Sequence, residues 1–187
     1  MKKTVFALLL AFLSLSAYSQ KGDLTVGAKG GYVYSPNYYN GILYGIDVAY
    51  HINDPLEVVL TGMMNPSVPY VSEDVKQKTN QTLAVYSANL DFRLYLIHQQ
   101  TWATGPALGG QYYSVSKTSI PNYGSDHALG FNIGWHFRVN LTDNLKLNAG
   151  WRYTNAKAKE KDSVYGLSFD MSYHLFYLGL AYTFELR

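Results

Sequence analysis

The chain has 187 residues, 15% of them charged and 16% aromatic, with 18 Tyr, 16 Gly and no Cys. The absence of Cys excludes a disulfide framework, a zinc-thiolate site and thiol chemistry. The mean hydropathy of −0.12 excludes a set of helical membrane spans, each needing about 20 apolar residues. The formal charge of +2 includes Lys2 and Lys3, so the chain beyond its first residues offers no basic surface for nucleic acid.

The start, MKKTVFALLLAFLSLSAYSQ, has the layout of a cleavable secretory leader. Lys2 and Lys3 are its positive head, and Val5 to Leu13 form an apolar run too short to span a bilayer. Ala17 and Ser19 are the small residues ahead of a cut before Gln20. The expected division is a signal peptide over 1–19 and one barrel domain over 20–187.

From there the hydropathy period is two almost throughout, which predicts strands. The first run sets Leu24, Val26, Ala28, Tyr32 and Tyr34 against Thr25, Gly27, Lys29 and Gly31. The second sets Ile42, Tyr44, Ile46, Val48, Tyr50 and Ile52 against Leu43, Gly45, Asp47, Ala49 and His51. The third sets Leu56, Val58 and Leu60 against Glu57, Val59 and Thr61. In the fourth, Ala84, Tyr86, Ala88, Leu90, Phe92 and Leu94 oppose Ser87, Asn89, Asp91 and Arg93. The fifth puts Trp102, Pro106, Leu108 and Tyr112 opposite Ala103, Gly105, Ala107, Gly109 and Gln111. The sixth puts Leu129, Phe131, Ile133, Trp135, Phe137 and Val139 opposite Asn132, Gly134, His136 and Arg138. The seventh has Leu145, Leu147, Ala149, Trp151 and Tyr153 against Lys146, Asn148, Gly150 and Arg152. The eighth has Phe176, Leu178, Leu180, Tyr182, Phe184 and Leu186 against Tyr177, Gly179, Ala181, Thr183 and Glu185. The stretch Val164 to Ser172 is a candidate extension of this last strand.

A soluble sandwich would also alternate. Three features point instead to an all-β fold, an eight-stranded antiparallel transmembrane β-barrel. The polar face is rich in Gly and Ala, which suits the crowded inside of a narrow barrel. Aromatic residues of the apolar face gather toward two rims, as in membrane barrels. Tyr32, Tyr34, Tyr44, Tyr86, Tyr112 and Trp151 form one rim, and Tyr50, Phe92, Trp102, Phe137 and Phe184 the other. In lipid, only helices and closed barrels satisfy every backbone group. Short connections (Asn53 to Pro55, His98 to Thr101, Asn140 to Asn144) alternate with longer ones (35–41, 65–81, 114–126, 155–163). This is the pattern of short periplasmic turns and long external loops, and it predicts periplasmic termini.

The segments VGAKGGY, LTDNLKLNAGWRYT (141–154) and LFYLGLAYTFELR (175–187) carry a resemblance to small Gram-negative outer-membrane barrels of the Bacteroidota type, the OmpA-like, OmpW-like and PorT-like domains. The resemblance covers the chain beyond the leader and implies residence in the outer membrane. Its implied partners are lipid, lipopolysaccharide and the barrel assembly machinery. Members often end on an aromatic that this machinery reads, whereas here Phe184 is followed by Glu185, Leu186 and Arg187.

Inward charges are expected at Lys29, Asp47, Glu57, Asp91, Arg93, His136, Arg138, Lys146, Arg152 and Glu185. They read either as a pore lining or as a plug of paired charges. Eight strands leave room for side chains but little for water, and buried charges must pair, which favours the plug. The five His show no metal-ligand spacing. Asp170, Ser172 and His174 share one strand face, but such residues point in parallel, and a triad is a matter of geometry. No catalytic residue, metal or cofactor is therefore expected.

The loops 35–41, 65–81, 114–126 and 155–163, which hold Tyr38, Tyr39, Tyr70 and Tyr123, are the expected contact points for an extracellular ligand. Lys157, Lys159 and Lys161 are placed to meet lipopolysaccharide phosphates. Asp162-Ser163-Val164 resembles a Bacteroidota O-glycosylation pattern. The expected role is a non-enzymatic barrel with surface-exposed loops. The alternatives are a narrow channel for small solutes and a lipid-modifying enzyme.

Overall fold

The alternation becomes eight long strands: β1 (Leu24–Tyr34), β2 (Asn40–Asn53), β3 (Leu56–Val71), β4 (Lys78–Leu94), β5 (Trp102–Lys117), β6 (Asp126–Asn140), β7 (Leu145–Lys159) and β8 (Tyr173–Phe184). A computed structural model describes residues 22–35, 40–53, 55–71, 78–117, 126–159, 168–170 and 172–185. The leader over 1–19, Tyr38, Tyr39, Tyr123, Lys161 and the Asp162-Ser163-Val164 pattern lie outside the described residues.

Each strand pairs antiparallel with the next, and β1 pairs with β8 from Leu24↔Phe184 to Tyr34↔His174. The sheet thus closes and leaves no edge between first and last strand. Hydrogen-bonded partners lead once around from Leu24 through Tyr50, Val58, Phe92, Leu108, Ile133, Tyr153 and His174. They return to β1 at Tyr34, ten residues further along. That stagger tilts the strands by about 40° and leaves an interior that side chains fill.

The strands run further than the alternation predicts. The stretch 65–81 reads as loop because Pro66, Pro69 and several polar residues break the period. In the fold β3 continues to Val71 and β4 starts at Lys78, with register shifts between Asn65 and Val68 and between Pro69 and Val71. Bulges absorb the prolines there. Likewise β5 extends to Lys117, β6 begins at Asp126 and β7 reaches Lys159. Two short segments add to the wall: Ile97–His98 pairs with β5, and Ser168–Asp170 pairs with Lys157 to Lys159 of β7. The latter lies within the stretch expected to extend the last strand.

The outer face is apolar, and most of its large side chains are exposed. Of the aromatic positions singled out, Tyr32, Tyr44, Tyr50, Tyr86, Tyr112, Phe137 and Phe184 are exposed, and Trp102 and Trp151 are half-buried. Trp151 lies opposite Trp135 near the middle of its strand, because β7 runs on to Lys159. It belongs to the band rather than to a rim. Both indole N–H groups find acceptors on the wall itself. Trp135 Nε1 donates to Thr104 Oγ1 at 2.7 Å, and Trp151 Nε1 donates to His174 Nδ1 at 3.2 Å. Such bonds let an indole sit in an apolar surround without an orphaned donor.

The barrel interior as candidate functional site

Inward side chains come from alternate positions of all eight strands, so the stagger decides which of them meet. At mid-height, Lys29 of β1 pairs with Asp47 of β2 at 3.3 Å and donates to Thr61 Oγ1 of β3 at 3.0 Å. Across the lumen Arg152 of β7 pairs with Asp91 of β4. Asp91 also accepts from Asn132 Nδ2 at 3.1 Å. Asn132 extends the network, donating to Asn89 Oδ1 at 3.2 Å and accepting from Thr154 Oγ1 at 2.8 Å.

Toward the end that carries both termini, Glu57 is the hub. Tyr95 donates its hydroxyl to Glu57 Oε2 at 2.5 Å. Arg93 lies 3.6 Å from the same carboxylate, His51 3.4 Å and Arg138 4.0 Å. The Arg138 guanidinium stands 4.3 Å over the Tyr95 ring, a cation–π contact. His136 shares a 3.0 Å hydrogen bond with the Tyr177 hydroxyl through Nδ1. Thr25, Thr183 and His51 form a small polar chain beneath, with contacts of 2.8 and 3.2 Å.

Toward the other end the inner face turns apolar on one side. Val33, Leu43, Val85 and Leu175 are fully buried, and Met63 nearly so. On the facing side Tyr113 and Tyr173 contact ring to ring, and Tyr173 donates to Gln111 Oε1 at 2.9 Å. The lumen is therefore layered, with a charged middle beneath an apolar and aromatic stopper.

Of the ten charges singled out, nine lie inside: Lys29, Asp47, Glu57, Asp91, Arg93, His136, Arg138, Lys146 and Arg152 are all buried. Glu185 is exposed. Parity alone assigned it inward, but β8 ends at Phe184 and no ladder holds the next residue to the pattern. Several lumen partners were not singled out. Tyr95 follows the last residue of β4, its amide donates to Pro55 O at 2.7 Å, and its ring lies buried in the barrel on the same parity as Asp91 and Arg93. Asn132, Gln111 and Tyr177 were legible as inward positions, but as neutral residues they gave no signal of their own.

On the outer face, His174 is enclosed by Trp151, Tyr153 and Tyr34, with ring centres 5.8, 5.0 and 6.4 Å away. Its Nδ1 takes the Trp151 N–H. That nitrogen is engaged by the wall.

A family model described as "outer membrane protein beta-barrel domain" matches residues 5–184. The chain belongs to this family. It is an outer-membrane β-barrel protein, and the band of exposed apolar side chains is its lipid face. Among solved structures, OprG of Pseudomonas aeruginosa is similar at 12% identity and a TM-score of 0.65, over 90% of this chain and 98% of that one. Neisserial surface protein A is similar at 17% identity and a TM-score of 0.61, over 87% and 96%. Outer membrane protein W of E. coli follows at 12% and 0.52, over 87% and 98%. At such identities the likeness is one of fold, and function rests on the residues of this barrel. A comparison with curated protein sequences finds no match.

Proposed function

We propose that this barrel is a closed, non-enzymatic element of the outer membrane that works through the end bearing its longer connections. The observation behind this is the filled lumen: its charged side chains interlock across non-neighbouring strands, and the stopper above them includes Val33, Leu43, Val85 and Leu175, all at 0% exposure. A lumen of this kind stiffens the wall and carries no solute. What then remains for contact with the surroundings is the loop end, as a binding or structural surface on a rigid scaffold. The expected partners are lipopolysaccharide and an extracellular ligand at that end. The assembly machinery is expected to read the strand that ends at Phe184.

Two measurements test this. Purified protein in planar bilayers is expected to give no discrete channel steps, and steady single-channel conductance would reject the closed barrel. The chain has no Cys, so single cysteines report topology directly. Asn122→Cys, between β5 and β6, is expected to react with a membrane-impermeant maleimide on intact cells. Asp143→Cys, in the turn between β6 and β7, is expected to react only after the outer membrane is opened. The reverse pattern would place the termini outside.

A further inference from the structure

Among the described residues the lumen charges do not balance. Five basic side chains are buried there, Lys29, Arg93, Arg138, Lys146 and Arg152, against three carboxylates, Asp47, Glu57 and Asp91. The partly buried Asp23 at the terminal end supplies a fourth carboxylate, and Glu185 is exposed. Among the described residues one positive charge is left over in a compartment walled by lipid, where an uncompensated ion is strongly disfavoured.

The ion pairs among the described residues divide unevenly, and Lys146 stands in none of them. Lys29 has Asp47 and Arg152 has Asp91. Arg93 and Arg138 share Glu57, at 3.6 and 4.0 Å, while Arg93 stands 3.7 Å from an Asp47 already taken by Lys29. These distances are ionic contacts rather than hydrogen bonds. Among the buried atoms without a hydrogen-bond partner are Nε and Nη2 of Arg93, Nε and Nη1 of Arg138, and Nε2 of His136. All three side chains are at least nine-tenths buried. They gather on one unit: Arg138 stacks on Tyr95, the His136 ring lies 5.8 Å from Tyr95, and Arg93 faces the Glu57 carboxylate that takes the Tyr95 hydroxyl. Four unpaired acceptors among the described residues, Oδ1 of Asp23, Asn53, Asn140 and Asn148, are also buried toward this end, so not every group there is a donor.

We propose that the terminal half of the lumen binds one small monovalent inorganic anion, chloride in chloride media, between Arg138, Arg93 and His136. Water satisfies a donor but brings no charge, whereas a halide does both. It also joins guanidinium groups that would otherwise repel one another. This site does not depend on what the loop end binds.

The test uses the whole purified barrel in detergent, at constant ionic strength, in sodium chloride, sodium bromide or sodium gluconate. The thermal midpoint is expected to be higher in both halides than in gluconate, with saturation as halide replaces gluconate. Crystals grown in bromide are expected to show an anomalous peak within contact distance of Arg138 and His136. Arg138→Gln is expected to abolish the halide-dependent rise. His136→Phe keeps a ring against Tyr95 and is expected to weaken that rise. Equal midpoints in all three salts, or a bromide peak only outside the lumen, overturns the proposal and assigns neutrality to a deprotonated lysine. The wild-type crystal decides the matter even if neither variant folds.

Discussion

Asp91→Ala is expected to lower the stability of the barrel by about 3–5 kcal/mol, the usual cost of stranding the partner of a buried ion pair. Asp91 is 1% exposed and holds two neighbours on different strands, Arg152 of β7 and Asn132 of β6. Its loss leaves a guanidinium in the lumen with no carboxylate, and Arg152 Nη1 already lacks a hydrogen-bond partner. The change also frees Asn132, which links Asn89 and Thr154. The readouts are the urea midpoint in vesicles and the temperature at which the band shifts from folded to unfolded migration on a gel. A double variant, Asp91→Leu with Arg152→Met, is expected to regain most of the loss, because apolar replacement of a whole buried pair is often neutral or better. Conductance is expected to stay flat in both. A single variant that kept its stability and opened a steady conductance would show that the pair gates a pore.

Parity made the two faces of the wall legible in the sequence. Lys29, Asp47, Asp91 and Arg152 fall on the inner face by alternation alone, as do Leu43 and Val59. Pairing was not legible. Arg152 meets Asp91 across 61 positions and between strands that are not neighbours. That meeting depends on the ten-residue stagger, which is a property of closure and not of any one segment. The hub at Glu57 was hidden for a different reason. Tyr95 lies just beyond the end of β4 and keeps the inward parity of Asp91 and Arg93, but as a neutral residue it gave no signal that its hydroxyl would meet Glu57. Glu185 failed the other way, since alternation was carried past the last paired residue. The upper parts of β3 and β4 were lost to Pro66 and Pro69, residues that argue against a strand unless a bulge accommodates them. No sequence signal announced the orphaned donors of Arg93 and Arg138, because each has an acidic residue within plausible reach on parity alone.

Gly45→Ala and Gly62→Ala are expected to separate sharply, although the two glycines are close neighbours across the β2–β3 ladder, where Gly45 pairs with Met63 and Ile46 with Gly62. Gly45 faces the lumen. A methyl group there would overlap the Gly62 carbonyl oxygen and stand 2.8 Å from Met63 Cα, both backbone atoms of the adjoining strand. No side-chain rotation relieves such an overlap, so the strands must part. Gly62 faces lipid, and a methyl group there meets nothing within 4 Å. The asymmetry follows from curvature: in a narrow barrel the inward Cβ directions converge and the outward ones spread. Gly45→Ala is therefore expected at the severe end of overpacking, about 3 kcal/mol or a failure to assemble. Gly62→Ala is expected to fold as well as the parent or to gain up to about 1 kcal/mol, since alanine has less unfolded-chain entropy to lose. The heat-induced gel shift and urea midpoints of the two variants, refolded side by side, provide the comparison. Equal behaviour would mean that β2 and β3 do not approach as closely as this closure requires.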